Sequence, residues 1–282
     1  MNSFPAIEID KVKAWDFRLI DENTAESLNV AYGVDSNYLD GVGVSITSIV
    51  INNRHVNLDF YIIADVYNDD FFQKVEKLAE QYQLRITLYR INTDNLQCLP
   101  CTQVWSRAMY FRLFAFQLLG VTLNRLLYLD ADVVCKGNIS QLLHLEFNGA
   151  VAAVVRDVDP MQEKAVVRLS DPELRGQYFN SGVVYLDLKK WTEAKLTEKA
   201  LSILMSKDSI YKYPDQDVMN VLLKGMTIFL PREFNTIYTI KSELKDKTHQ
   251  KYKELIKEDT LLIHYTTKLR KMLIFINNTH TS

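Results

Sequence analysis

Apolar positions along the chain alternate between two spacings. Leu28-Asn29-Val30-Ala31-Tyr32, Leu58-Asp59-Phe60-Tyr61-Ile62-Ile63 and Arg85-Ile86-Thr87-Leu88-Tyr89 are short runs of the kind that form buried strands. Stretches of helical length lie between and after them: Leu39 to Ile51, Asp70 to Tyr82, and a long aromatic segment from Val104 to Leu119. Arg125 to Leu129 is the next strand. Ala150 to Val155 and Tyr178 to Leu188 follow as strands, and Leu261 to His264 as a last short one. Lys189 to Ser206 predicts a helix with Leu196, Ala200, Ile203 and Leu204 on one face. Asp215 to Lys224 predicts another, stopped by Gly225. Residues 241–258 alternate Lys and Glu as a solvated helix would. Strands alternating with helices point to an α/β domain with a mixed, mostly parallel sheet flanked by helices. Residues 1–27 carry mixed charge and weak periodicity and read as an N-terminal extension.

Composition narrows the function classes. The 282 residues are 48% hydrophobic and 24% charged, a globular balance with ample length for a core. Thirty-three basic against thirty-five acidic residues leave a net charge of −2, so no nucleic-acid partner is expected. Cys98, Cys101 and Cys135 are too few, and odd in number, for a disulfide framework, which suits a reducing compartment. The first residues show no basic n-region or apolar h-region, and apolar runs such as Gly149 to Val155 are too short to span a bilayer. A cytoplasmic protein is expected, with peripheral membrane contact left open.

The sharpest chemical signal is Asp130-Ala131-Asp132 at the end of an apolar strand. Strand alternation points both carboxylates to one side, and ligands of open α/β sheets bind beyond the carboxyl ends of strands. Such a pair calls for a cation, and hard ions such as Mn²⁺ or Mg²⁺ prefer oxygen ligands. The alternative is a pair of solvated strand-end caps. The pattern recurs at Asp157-x-Asp159 and Asp215-x-Asp217, neither of which follows so apolar a strand. Gly33-Val34-Asp35-Ser36-Asn37 after the first strand could read a base or ribose, or be an ordinary polar turn. Phe179-Asn180-Ser181-Gly182 places a glycine inside a strand, marking either close approach of a ligand or a bulge. Arg112, inside an apolar helix, needs an anionic partner. His264 ends a short strand, where a lone histidine is more often structural than ligating. Cys98-Leu99-Pro100-Cys101 lacks the partners of a zinc site and reads as a loop. There is no P-loop, dinucleotide fingerprint or nucleophile elbow.

In this order and at these spacings the motifs resemble family 8 retaining glycosyltransferases of the GT-A fold. They are Gly33 to Tyr38, Leu127 to Asp132, Tyr178 to Gly182, Leu188-Lys189-Lys190-Trp191, Asp215-Gln216-Asp217 and His264-Tyr265. The likeness covers about residues 28–265, the expected catalytic domain, and is strongest to the enzymes of the enterobacterial lipopolysaccharide core. The resemblance implies Mn²⁺ or Mg²⁺ held by Asp130, Asp132 and His264. It implies contacts of Val34, Asp35 and Asn37 with uracil and ribose. It implies a donor sugar surrounded by Arg112, Asp130, Ala131, Asn180, Ser181, Asp215 and Gln216. Gln216, Asp215 and Asp130 would carry catalysis, by front-face substitution at the sugar, because a neutral amide at 216 is a poor nucleophile.

The resemblance also implies transfer of glucose from UDP-glucose to the lipopolysaccharide core oligosaccharide, at the cytoplasmic face of the inner membrane. UDP-galactose is the alternative donor. After His264-Tyr265 the family has a Gly, a Lys and a Pro-Trp pair; this chain reads Thr266-Thr267-Lys268-Leu269-Arg270-Lys271. Either Lys268 or Arg270 would take the place of the diphosphate-binding Lys. Residues 266–282 therefore read as an atypical, shortened tail in which Met272 to Ile276 could touch lipid, and an impaired nucleotide-sugar-binding relative is the alternative to an active enzyme.

Overall fold

The computed structural model describes residues 7–18, 26–101, 106–206, 211–238 and 256–266. In chain order its strands and helices begin with β1 (Ile9–Asp16), β2 (Leu28–Val34), α1 (Leu39–Asn52), β3 (Leu58–Ala64), α2 (Asp69–Tyr82) and β4 (Arg85–Ile91). They continue with α3 (Phe111–Leu119), β5 (Arg125–Leu129), β6 (Val133–Cys135), β7 (Ala152–Arg156), α4 (Asp159–Leu169) and β8 (Phe179–Asp187). The last are α5 (Leu188–Glu193), α6 (Leu196–Leu204), α7 (Pro214–Leu222), β9 (Thr227–Phe229), β10 (Thr236–Tyr238) and β11 (Leu262–Tyr265).

Eight strands form one sheet in the order β1-β4-β3-β2-β5-β8-β7-β9. β4, β3, β2 and β5 are parallel neighbours, β7 and β9 pair parallel, and β1 and β8 run against the rest. Both faces are covered, so the strands are apolar at nearly every position: all seven residues of β3 are buried. Alternation sends Val30, Tyr32, Phe60, Ile62, Leu127 and Leu129 toward Val42, Ile46 and Ile49 of α1 and Phe71 and Val75 of α2. Ala31, Tyr61, Ile63, Leu126 and Tyr128 face the other way, onto α3, α5, α6 and α7. There Phe116 meets Tyr128 and Trp191 edge-on, at 5.5 and 5.0 Å between centroids. Each such aromatic contributes roughly 1.5–3 kcal/mol by leaving water.

The structure differs from the expectations in three places. Part of the expected extension is β1, which pairs antiparallel with β4 from Ile9↔Ile91 to Asp16↔Arg85 and borders the sheet. Its exposed charged positions hid the strand, because an edge strand buries little. The segment read as one helix from 189 to 206 is α5 and α6, broken where Lys195 takes a left-handed φ of 52°. The break lets the Trp191 indole N–H donate to Thr197 Oγ1 at 2.9 Å while that hydroxyl donates to the Leu113 carbonyl at 3.0 Å. In the expected helix from 104, residues 107–110 form a 3₁₀ turn before α3. The expected helix over 241–258 lies almost wholly outside the described residues.

A small second sheet, in the order β10-β11-β6, joins the C-terminal part of the chain to the end of β5. β11 runs antiparallel to β6, pairing His264 with Val133, and Tyr265 N donates to Asp132 O at 2.9 Å. This places His264 beside the Asp130–Asp132 turn. Among the described residues no helix is long and apolar enough to cross a membrane.

Candidate active site

β5 delivers its last apolar residue, Leu129, into the sheet, and the chain then turns through Asp130-Ala131-Asp132 into β6. The Asp130 N–H donates to the Gly182 carbonyl of β8 at 2.9 Å, locking the turn to the neighbouring strand. His264 enters from β11. Its Nε2 lies 3.2 Å from Asp132 Oδ1 and 3.9 Å from Asp130 Oδ2, and ligand atoms of all three residues fall within 4.8 Å of one another. Burial pushes the Asp130 pKa up, opposed by Arg112 and His264 and aided by Asp132. Burial works against a charged His264, but Asp132 and Asp130 outweigh it and raise its pKa. Two carboxylates and one imidazole at this spacing suit a hard divalent cation. The donor set fits the metal that the sequence motif implies.

The orientation of His264 follows from its neighbours. Asn180 Oδ1 accepts from the Gly182 N–H at 3.0 Å and lies 3.1 Å from His264 Nδ1. A backbone N–H can only donate, so the Asn180 atom is its oxygen and His264 Nδ1 must carry the proton. In the neutral ring Nε2 then keeps its lone pair for the carboxylate side, the arrangement seen where an outer partner orients a ligating histidine. Gly182 makes room for the ring: a Cβ there would lie 2.7 Å from His264 Nδ1 and 3.0 Å from Asp130 Oδ2.

Arg112, at the start of α3, is buried and spans two carboxylates. Its Nη2 donates to Asp130 Oδ1 at 2.7 Å and its Nε lies 3.1 Å from Asp215 Oδ2. Nη1 donates to the Ser181 carbonyl at 2.6 Å, and the guanidinium carbon sits 4.8 Å from the centre of the Tyr128 ring. Asp215 is buried in the first turn of α7, and burial raises its pKa while Arg112 draws it back. Gln216 is held at both ends of its amide. Oε1 accepts from Ser181 N at 3.1 Å and Asn180 Nδ2 at 3.3 Å; Nε2 donates to Asp157 Oδ2 and Tyr178 Oη, each at 3.0 Å.

The two other Asp-x-Asp copies thus contribute side chains to this region, though they form no second carboxylate pair. Asp157 anchors Gln216, and burial raises its pKa. Asp217 is fully buried and takes donors from Tyr178 Oη at 2.6 Å, Arg168 Nη2 at 2.5 Å and the Lys212 and Tyr213 N–H groups at 3.1 Å. These roles of Asp157, Tyr178 and Asp217 depend on contacts made between distant strands and helices, which local pattern does not show.

The Gly33–Tyr38 loop leaves β2 at the neighbouring strand end. Val34 is buried, and Asp35 Oδ1 caps a 3₁₀ turn by accepting from Asn37 N at 3.0 Å. Asp35 Oδ2 accepts from Ser106 Oγ at 2.8 Å, while Asn37 is exposed. Tyr38 bridges the loop and the carboxylates: burial raises its phenol pKa, as do Asp132, Asp35 and Asp130. The structure therefore brings Val34, Asp35, Asn37, Arg112, Asp130, Ala131, Asp132, Asn180, Ser181, Asp215, Gln216 and His264 to one end of the sheet. Cys98 ends a 3₁₀ turn over Asp94–Cys98 and Cys101 follows it; both are exposed, Cys135 is buried, and there is no disulfide among them. Lys268, Arg270 and residues 272–276 lie outside the described residues.

Comparison with known proteins agrees with this geometry. The model of glycosyl transferase family 8 matches residues 29–270. A lipopolysaccharide 1,2-glucosyltransferase of Escherichia coli K12 is 88% identical over 94% of this chain and 79% of its own length. A lipopolysaccharide 1,3-galactosyltransferase of Salmonella typhimurium is 34% identical over 89% of this chain and 74% of its own. Among solved structures, an active-site mutant of LgtC superposes with a TM-score of 0.73 at 18% identity, covering 89% of this chain and 96% of that one. The galactosyltransferase LgtC with donor and acceptor sugar analogues gives 0.69 at 21%, covering 85% and 87%. The fold is GT-A, and the chain belongs to glycosyl transferase family 8.

Proposed function

We propose that this protein is a metal-dependent retaining α-glucosyltransferase that moves glucose from UDP-glucose to the lipopolysaccharide outer core. The observation that carries the reading is the convergence of Asp130, Asp132 and His264 beside Arg112 and Gln216. The glucose and the lipopolysaccharide acceptor follow the 88% identical relative, a lipopolysaccharide 1,2-glucosyltransferase, which favours glucose over galactose. A lipopolysaccharide acceptor supports work at the cytoplasmic face of the inner membrane, as a peripheral contact, as part of this reading.

In this reading Asp130, Asp132 and His264 hold Mn²⁺ or Mg²⁺, whose charge stabilises the leaving UDP. Val34, Asp35 and Asn37 contact the uracil and ribose. Arg112 keeps Asp130 and Asp215 from repelling each other and fixes Asp130 for both metal and sugar. Asp215, Asn180, Ser181, Ala131 and Gln216 line the sugar.

Retention of configuration can come from two displacements or from front-face substitution. The geometry favours the second. The oxygen of Gln216 points at the Ser181 N–H and the Asn180 amide, and its nitrogen is held by Asp157 and Tyr178. An amide so committed orients a neighbour better than it attacks a carbon. The acceptor hydroxyl then approaches on the side of the departing diphosphate, which takes its proton.

The test is transfer of glucose from UDP-glucose to isolated lipopolysaccharide core. Transfer should need Mn²⁺ or Mg²⁺ and be lost in Asp132→Ala; undiminished transfer by that variant rejects the assigned metal site.

A further inference from the structure

Asn235, in the turn before β10, is fully buried, yet only half of its side-chain amide is used. Its Nδ2 donates to Asn180 Oδ1 at 3.0 Å. Its Oδ1 is buried and finds no hydrogen-bond partner among the described residues. A buried acceptor without a donor is costly, and in a native fold it asks for an explanation. The turn itself does not need the side chain. Asn235 N–H donates to the Arg232 carbonyl at 3.0 Å, and Arg232 Nη1 lies 3.3 Å from the Asn235 carbonyl.

The explanation lies one residue further in. Asn180 Oδ1 is the acceptor on which His264 Nδ1, Gly182 N and Asn235 Nδ2 converge, at 3.1, 3.0 and 3.0 Å. The other end of the same amide reaches Gln216 Oε1 at 3.3 Å. Were Asn180 to turn over, its NH₂ would face the Gly182 N–H, which can only donate, so the amide has one orientation. Asn235 donates to that same oxygen and holds it in place, and the oxygen keeps the proton on His264 Nδ1.

We propose that Asn235 is a positioning residue for the metal site: through Asn180 it holds the His264 imidazole with Nε2 turned toward Asp130 and Asp132. It touches neither metal nor sugar and acts two side chains away. The inference rests on the proposed metal site, so its test must separate the two.

The measurement is Mn²⁺ affinity of the full chain in the presence of UDP, by electron paramagnetic resonance of free Mn²⁺. Asn235→Leu removes the donor and the orphaned acceptor together at similar volume. It should fold with a melting temperature at least that of the parent and bind Mn²⁺ about 10- to 100-fold more weakly, the usual effect of losing an outer partner of a ligand. In a His264→Ala background the same change should have no further effect, because the ring it orients is gone. A general structural role would weaken binding in both backgrounds and overturn the proposal. Unchanged affinity in Asn235→Leu overturns it as well. Failure of the parent chain to bind Mn²⁺ at all overturns the metal reading and this inference with it. Should Asn235→Leu not fold, Asn235→Ser, which is too short to reach Asn180, is read by the same two comparisons.

Discussion

His264 Nε2 stands 3.2 Å from Asp132 Oδ1, although the two residues lie far apart in the sequence. β11 makes this meeting possible by pairing His264 with Val133, next to the aspartate. Adding Mn²⁺ with UDP should therefore raise the melting temperature of the parent chain and leave that of Asp132→Ala unchanged. At 100 times the dissociation constant the gain is about 2.7 kcal/mol. An equal shift in both proteins, measured by scanning calorimetry, would disconnect Asp132 from the metal.

Gly182 is the residue against which the His264 ring packs. In Gly182→Ala the new methyl meets the imidazole and displaces it from Asn180 and the carboxylates. Mn²⁺ affinity should fall at least about tenfold, in line with losing an outer partner of a ligand. Metal titration checks this; parental affinity would mean the strand yields and the ring stays.

Arg112 offsets the buried Asp215 and the half-buried Asp130 at once. Arg112→Met keeps much of the volume and leaves Asp130 and Asp215 facing each other. Breaking a buried pair by removing one partner costs about 3–5 kcal/mol. Urea unfolding should show a loss of that order, together with loss of transfer. A stable, active Arg112→Met would show that the cation is dispensable.

Gln216 is pinned by four side-chain or backbone partners. Front-face substitution predicts that intact mass spectrometry of protein quenched during turnover finds no hexosyl adduct on the parent chain. A Gln216-linked hexose accumulating at the rate of turnover would establish double displacement instead.

Much of this architecture is legible in the sequence because it is local. The buried strands Leu28–Val34, Leu58–Ala64 and Arg125–Leu129 announce themselves by continuous apolar runs, and the Asp130–Asp132 turn by its place after the last of them. The left-handed Lys195 is not legible, since a lysine carries no sign of positive φ and the apolar spacing continues across it. β1 is hidden for the opposite reason: an edge strand with exposed charges has no alternation to detect. In the site, Asp130 and Asp132 stand out by type and position, and His264 only through the family motif it belongs to. Asp157 and Tyr178 fall in sequence motifs, but their bonds to Gln216, like that of Asn235 to Asn180, exist only once α7, β8 and the turn before β10 are packed together.

In the proposed reaction Asp130, Asp132 and His264 would hold the metal, whose positive charge would favour binding of the UDP-glucose diphosphate. Calorimetric titration of UDP-glucose into the purified protein, with and without Mn²⁺, is the decisive measurement. Saturable binding that requires Mn²⁺ and disappears in Asp132→Ala is the expected result. Binding of equal strength without the metal, or none in either condition from folded protein, would contradict it.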